Sequence, residues 1–202
     1  MRRTTFSLLR QGGRLRTNSI LNTGSAAPEP RRLMTTKIYF GCDGFGEELK
    51  DSVVSHLGRK DGVSIVDLGC TSYYAAAAKV AKAVQREGDR SVRGMLFCGT
   101  GMGVGITANK FSGVRAATVE NEFAARASRS INDSNVLCLG GKITSAAEAA
   151  TITDAWLEQA HQQPPILTNS SEAPEWWSPE VEQFLANKWD ELDEVERSSR
   201  SS

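Results

Sequence analysis

The chain has 202 residues, in which 24 lysines and arginines balance 24 aspartates and glutamates, and 40% of the residues are hydrophobic. That length fits one domain with extensions at its ends, and the balanced charge gives no bulk reason to bind nucleic acid. No stretch approaches the roughly 20 apolar residues that a membrane-crossing helix needs, and 4 cysteines without a C-x-x-C pair, beside 2 histidines, offer no metal-ligand spacing.

Residues 1–36 carry Arg2, Arg3, Arg10, Arg14, Arg16, Arg31 and Arg32 against a single acid, Glu29, amid serine, threonine, glycine and asparagine. That is the composition of an organelle transit peptide, and the expected destination is the mitochondrion, with plastid or cytoplasm as alternatives. A basic nucleic-acid arm or an unprocessed tail would share it.

From Lys37 onward short apolar runs alternate with helical stretches. Strands are expected at 37–43, 63–69, 92–99, 113–119 and 135–141, and helices at 46–59, 73–87, 121–131 and 144–160, with a short helix at 104–110. The alanine-rich 73–87 is strongly helix-forming. Thr144 or Ser145 can cap the helix at 144–160, with Glu148 placed to close a capping box. Strands alternating with helices imply right-handed crossovers and an open, doubly wound, Rossmann-like five-stranded parallel sheet with helices on both faces, over 37–163. Residues 164–202 read as a linker and an acidic, tryptophan-bearing helix (179–196) with Val181, Phe184, Leu185, Trp189 and Leu192 in one stripe. A helix of that length is marginal alone, so docking on its own domain or a partner is expected.

In such sheets ligands gather beyond the carboxyl ends of the strands. There the sequence places Cys42-Asp43-Gly44, Cys70-Thr71-Ser72-Tyr73, Cys98-Gly99-Thr100-Gly101, Glu120-Asn121-Glu122 and Gly140-Gly141-Lys142. The loop "CGTGMGVG" (98–105) has glycines at 99, 101, 103 and 105, which is neither the G-x-G-x-x-G fingerprint nor a P-loop. Successive N–H groups in such a turn can hold a phosphate or the oxyanion of an enediolate, and a purely structural loop built for close packing remains the alternative. Cys98 precedes a helix start, a position in which thiols ionise more readily, although most free cysteines are buried hydrophobes. Cys42, Cys70 and Cys138 read as strand fillers, and a reducing compartment would keep all of them as thiols.

The stretches "GCDGFGEELK" (41–50), "FCGTGMGVGITANKFSGVRAA" (97–117) and "INDSNVLCLGGK" (131–142) resemble the ribose-5-phosphate isomerase B family of sugar-phosphate isomerases, which includes galactose-6-phosphate isomerases. "DLGCTSYY" (67–74) and the tryptophan-bearing tail are similar to divergent plant members. The resemblance spans about residues 37–160. It implies that Cys98 is the base moving a proton between the first two sugar carbons and that the backbone of Gly99, Gly101, Met102 and Gly103 holds the enediolate. Thr100 would assist ring opening, Asp43 and Tyr73 would contact substrate, and Asn132 would bind sugar oxygens. Asp43, Thr100 and Cys98 are thus the catalytic candidates. The family forms homodimers whose active sites are completed by the neighbouring subunit, and it needs no metal or other cofactor.

Three departures stand out. Gly44 and Ile131 occupy positions where the family has histidines, the latter credited with ring opening, and "HQQPPILT" (161–168) replaces an arginine-bearing phosphate clamp. Phosphate would then fall to the glycine loop, Lys142, Arg115 or Arg129, of which each cation also reads as ordinary surface charge. Glu120 is a conceivable replacement acid or a solvated loop residue. The expected function is isomerisation of a small sugar phosphate, ribose 5-phosphate first. A non-catalytic sugar-phosphate-binding protein and a thiol redox role for Cys98 are the alternatives.

Overall fold

The computed structural model describes residues 35–199. The basic leader expected at 1–36 lies outside the described residues except for its last two. The elements run β1 (Thr36–Cys42), α1 (Glu47–Leu57), β2 (Val63–Cys70), α2 (Tyr73–Glu87), β3 (Val92–Cys98), α3 (Met102–Ala108), β4 (Ala116–Thr118), α4 (Glu122–Asn132), β5 (Val136–Gly140) and α5 (Ala146–Glu158). Two tail helices follow, α6 (Pro179–Asn187) and α7 (Trp189–Ser198).

All pairings are parallel, in the order β2-β1-β3-β5-β4. The chain leaves β1 toward β2 and returns to place β3 on the other side of β1, so the order reverses between β1 and β3, where a crevice opens at the carboxyl edge. Both faces of the sheet are covered, which is why the strands read as unbroken apolar runs. Ile38, Phe40, Met95, Phe97, Leu137 and Leu139 lie on one face against Leu49, Val53 and Leu57 of α1 and Ile152 and Trp156 of α5. Tyr39, Leu96, Cys98, Val136 and Cys138 lie on the other against Ala77, Val80 and Ala81 of α2 and Val104 and Ala108 of α3. Burying a side chain of this size contributes about 1.5–3 kcal/mol. Trp156 is fully buried and keeps its polar end satisfied by donating Nε1–H to Ser134 Oγ at 2.8 Å.

The expected capping box is present. Ser145 Oγ accepts from Glu148 N at 3.3 Å, and the Glu148 carboxylate accepts from Ser145 N at 2.9 Å. Other expectations shift. β4 is only three residues, and on its outer side the Asn109 side chain takes both backbone groups of Ala116, accepting from its N–H at 2.7 Å and donating to its carbonyl at 2.9 Å. α3 starts at Met102 rather than 104, directly out of the glycine turn.

Cys42 and Cys70 are not separate thiols. They form a disulfide with their Cα atoms 4.6 Å apart, within the span a disulfide bridges. The reason is register. β1 and β2 pair residue for residue up to Phe40–Asp67, then slip, with Gly69 at φ +77°, so that Cys70 lands opposite Cys42.

The single helix expected at 179–196 is two, meeting at Lys188, and it docks on the domain as anticipated. Leu185 is 1% exposed, Gln162 Nε2 donates to its carbonyl at 3.0 Å, and the Trp189 ring lies 5.3 Å from both the Arg115 guanidinium and the His161 ring. Phe184 and Leu192 of the anticipated stripe remain exposed.

Candidate active site

Three loops meet at the carboxyl ends of β1, β3 and β5, and backbone hydrogen bonds tie them together. Asp43 N–H donates to Phe97 O at 3.0 Å, Gly141 N–H to Cys98 O at 2.8 Å, and Lys142 N–H to Gly99 O at 2.9 Å. The loops approach so closely that a Cβ on Gly141 would stand 2.3 Å from Phe45 O. Gly140 and Gly141, at the end of β5, are therefore a packing requirement that brings Lys142 beside the glycine loop.

Cys98 is 5% exposed at the end of β3, and its Sγ accepts the Gly101 N–H at 3.1 Å. Gly101 is left-handed, at φ +75°, so the chain turns there into α3 while its amide faces the sulfur. A Cβ there would meet Leu139 C at 3.0 Å and Thr118 Cγ2 at 3.1 Å, so glycine is needed for both conformation and space. Thr118 Oγ1 donates to Gly101 O at 3.1 Å and holds the turn from the other side. Sequence reasoning missed Thr118; its place at the end of β4 was the available signal.

Asp43 is half-buried, and its Oδ1 accepts from Phe45 N at 2.9 Å and Gly46 N at 3.1 Å, which shapes the turn into α1. Thr100 is exposed, and its Oγ1 accepts from Met102 N at 3.4 Å. Tyr73 opens α2, and its ring lies against the glycine loop: a Cβ on Gly103 would come within 3.0 Å of Tyr73 Cδ2. Phe45, Tyr73 and Met102 are exposed around this rim, and Phe45 lies beside Gly99. Asp43, Tyr73, Cys98, Gly99, Thr100, Gly101, Met102, Gly103 and Lys142 are thus assembled at one edge. Glu120 is exposed in the loop after β4.

Asn132 is not among them. It is the exposed last residue of α4, at the edge where β5 begins, a strand length of about 16 Å away at 3.3 Å per residue. Arg115 and Arg129 lie at that far edge too, and both are engaged. Asp133 Oδ2 accepts from Arg115 at 2.9 Å and Oδ1 from Arg129 at 2.6 Å, so neither arginine holds an anion at the Cys98 edge of the same chain. Arg115 borders a cavity of about 390 Å³ that Trp189 also lines, where burial and the nearby Arg129 push the Arg93 guanidinium down to about 10. Cys138, one strand over from Cys98, is a different kind of cysteine. Complete burial and the nearby Cys98 raise its thiol far above the ordinary range, leaving it as core. Among the described residues, no group of three or more His, Cys, Asp or Glu side chains is arranged to hold a metal ion.

Residues 38–165 match the sequence model of the Ribose/Galactose Isomerase family. The chain is 38% identical over 175 residues to the DNA damage-repair/toleration protein DRT102 of Arabidopsis thaliana, covering 87% of this chain and 53% of that one. It therefore spans about half the length of that relative. It is 43% identical over 126 residues to ribose-5-phosphate isomerase B of Escherichia coli K12, covering 60% of this chain and 83% of the relative. The structure resembles that of ribose-5-phosphate isomerase B from Clostridium thermocellum, with a TM-score of 0.65 and 31% identity, over 81% of this chain and 99% of the other.

Proposed function

The chain belongs to the Ribose/Galactose Isomerase family, and from that premise we propose that it is an aldose–ketose isomerase of a small sugar phosphate, with ribose 5-phosphate to ribulose 5-phosphate as its parent reaction. The observation that carries this reading is the Cys98 sulfur under the Gly101 amide, at the crevice where the strand order reverses.

In the reading we adopt, the Cys98 thiolate removes the proton from C2 of the open-chain aldose. The C–H electron pair becomes the C1=C2 bond and the carbonyl pair moves onto O1. The glycine-loop amides receive the enediolate charge, and an oxyanion donor of this kind contributes about 10²–10³ in rate. The proton then returns from sulfur to C1, while the O2 proton passes to O1, giving the ketose with no net change in atoms or electrons. Asp43, Thr100 and Tyr73 line the sugar's path, and Lys142 offers the phosphate a cation.

Asn132 reaches a Cys98 only if it comes from another copy of the chain, so a homodimer with shared sites is part of this proposal. The test is conversion of ribose 5-phosphate by the purified protein beside Cys98→Ser. Turnover abolished by the substitution supports the reading, and equal rates in both proteins sink it. A second reading, a sugar-phosphate-binding protein without turnover, is favoured by the engagement of Arg115 and Arg129 with Asp133. Thermal stabilisation by sugar phosphates, without any conversion, would select it.

A further inference from the structure

The disulfide between Cys42 and Cys70 stands at the rim of the Cys98 crevice. Cys42 precedes Asp43 directly and Cys70 lies three residues before Tyr73, so one bond joins the two segments that present those side chains. β2 is an edge strand, and its ladder with β1 runs to Phe40–Asp67, slips, and meets again at Cys42–Cys70. The bridge and the Thr71 N–H, which donates to Cys42 O at 2.9 Å, fasten the turn that follows. Cys70 Sγ also lies 3.9 Å from Asp43 O. Tyr73 then opens α2, with its ring against Gly103 of the glycine loop.

The rest of the crevice has separate supports. Gly141 N–H holds Cys98 O, Lys142 N–H holds Gly99 O, and Gly101 N–H holds Cys98 Sγ. Glu120 stands in the loop that Asn121 closes by capping α4. None of these contacts passes through Cys42 or Cys70. The bridge therefore bears on the side chains along the sugar's path, Tyr73 above all, because Asp43 is also tied to Phe97 O. The thiol, the glycine loop and Lys142 keep their places without it.

The two bridged sulfurs differ in access. Cys42 is 0% exposed, packed in the cluster of Phe40 and Phe97, whereas Cys70 is exposed on the edge strand. A disulfide is broken by a thiolate that reaches one of its sulfurs, and exposed disulfides are the labile and regulatory ones. Cys98 and Cys138 are already free thiols, so a reductant arriving at this edge changes the bridge alone.

We propose that the Cys42–Cys70 bond is a thiol–disulfide exchange site for a dithiol reductant, and that its opening weakens the hold on substrate; the second part rests on the isomerase reading above. One thiolate of the dithiol attacks Cys70 Sγ, the S–S electron pair leaves on Cys42 Sγ, and Cys42 takes up a proton. The second thiolate of the reductant then displaces Cys70, which is protonated in turn. Two electrons and two protons pass to the chain, and the dithiol becomes a disulfide. The reverse exchange, with the oxidised dithiol, closes the bridge.

The test places the full, folded chain in dithiothreitol redox buffers of graded poise. Thiols are counted by alkylation, and ribose 5-phosphate kinetics are read at each step. The count should rise from two to four while the far-ultraviolet circular dichroism stays native. KM should rise about tenfold, the scale of one or two lost hydrogen bonds. The change in kcat should stay within about twofold, the pattern of lost uniform binding. Cys42→Ala combined with Cys70→Ser should match the reduced form and ignore dithiothreitol; if that variant does not fold, the reduced wild-type chain carries the comparison. A bridge that resists dithiothreitol until the chain is denatured overturns the exchange site. Opening that leaves KM unchanged overturns the effect on substrate and leaves the isomerase intact. Absence of turnover in both states removes the isomerase reading and the effect on substrate with it, while the thiol count of the folded chain still decides the exchange site.

Discussion

The Cys98 sulfur accepts a hydrogen bond from the amide of Gly101, three residues further along the chain, at 3.1 Å. Gly101 adopts φ +75°, a conformation an L-residue reaches only at a cost of about 1–2 kcal/mol. Alanine there would also press on Leu139 C at 3.0 Å. Gly101→Ala should therefore displace the turn beside the Cys98 sulfur and lower kcat by about 10²-fold, the cost of a misplacement of about 1 Å, while the far-ultraviolet circular dichroism stays native. An unchanged kcat in a folded variant would show that the conformation of the Gly101 turn takes no part in the chemistry.

The disulfide between Cys42 and Cys70 closes a loop with a sequence separation of 28. On a chain-entropy account, a loop of that size restricts the unfolded state by about 3.5 kcal/mol. Cys70→Ser, or treatment with a small dithiol, should lower the urea midpoint by a corresponding amount. The thiol count of the denatured, unreduced protein should be 2, from Cys98 and Cys138. A count of four with an unchanged midpoint would rule the bond out in solution.

The path from sequence to fold was short where burial decides it. Unbroken apolar runs such as 135–141 announce strands covered on both faces, and Ser145 with Glu148 announces a helix start three residues apart. The neighbourhood of Cys98 and the glycine loop was legible because one local segment carries the thiol, the turn and the amides. Illegible features depend on contacts between distant segments. The slip at Gly69 that sets Cys70 opposite Cys42, the Asn109 side chain that pairs with the outer edge of β4, and the Thr118 hydroxyl on Gly101 leave no periodic trace. The placement of Asn132 at the far edge follows from α4 running back across the sheet. That could have been drawn from the alternation of elements alone.

Lys50 is 5% exposed, and its Nζ lies 2.6 Å from Asp67 Oδ2, pinning α1 to the edge strand β2. Burial alone would raise the Asp67 carboxyl, but the Lys50 ammonium and the Gly69 N–H outweigh it and hold it below its ordinary 3.8. A carboxyl lowered in the fold stabilises it above the unfolded-state value, and that contribution disappears as pH falls through the lower folded value. Asp67→Asn leaves the buried Lys50 with Asp51, at 3.2 Å, as its remaining carboxylate and should cost about 1 kcal/mol at neutral pH. The gap between wild type and variant should close below about pH 4, measured by urea unfolding across pH. A gap that persists unchanged into acid would assign the loss to packing rather than to charge.

His161 ties the tail to the domain through Trp189, 5.3 Å between ring centres. Burial lowers its pKa below the ordinary 6.5; Asp133 opposes this, whereas Lys188, Arg129 and Arg90 add to it. The unfolded chain therefore takes up a proton near 6.5 that the folded chain still refuses, and stability falls as pH drops through that window toward the lower folded value. The melting temperature of the wild type should decline between about pH 7.5 and pH 5.5, and His161→Phe, which keeps an aromatic ring against Trp189, should flatten the decline. Tryptophan emission should report the same step locally, because protonated His161 would leave its buried place beside Trp189 and loosen α7. Equal slopes in the two proteins would move the acid sensitivity elsewhere in the fold, with Asp133 and its two arginines the next groups to vary.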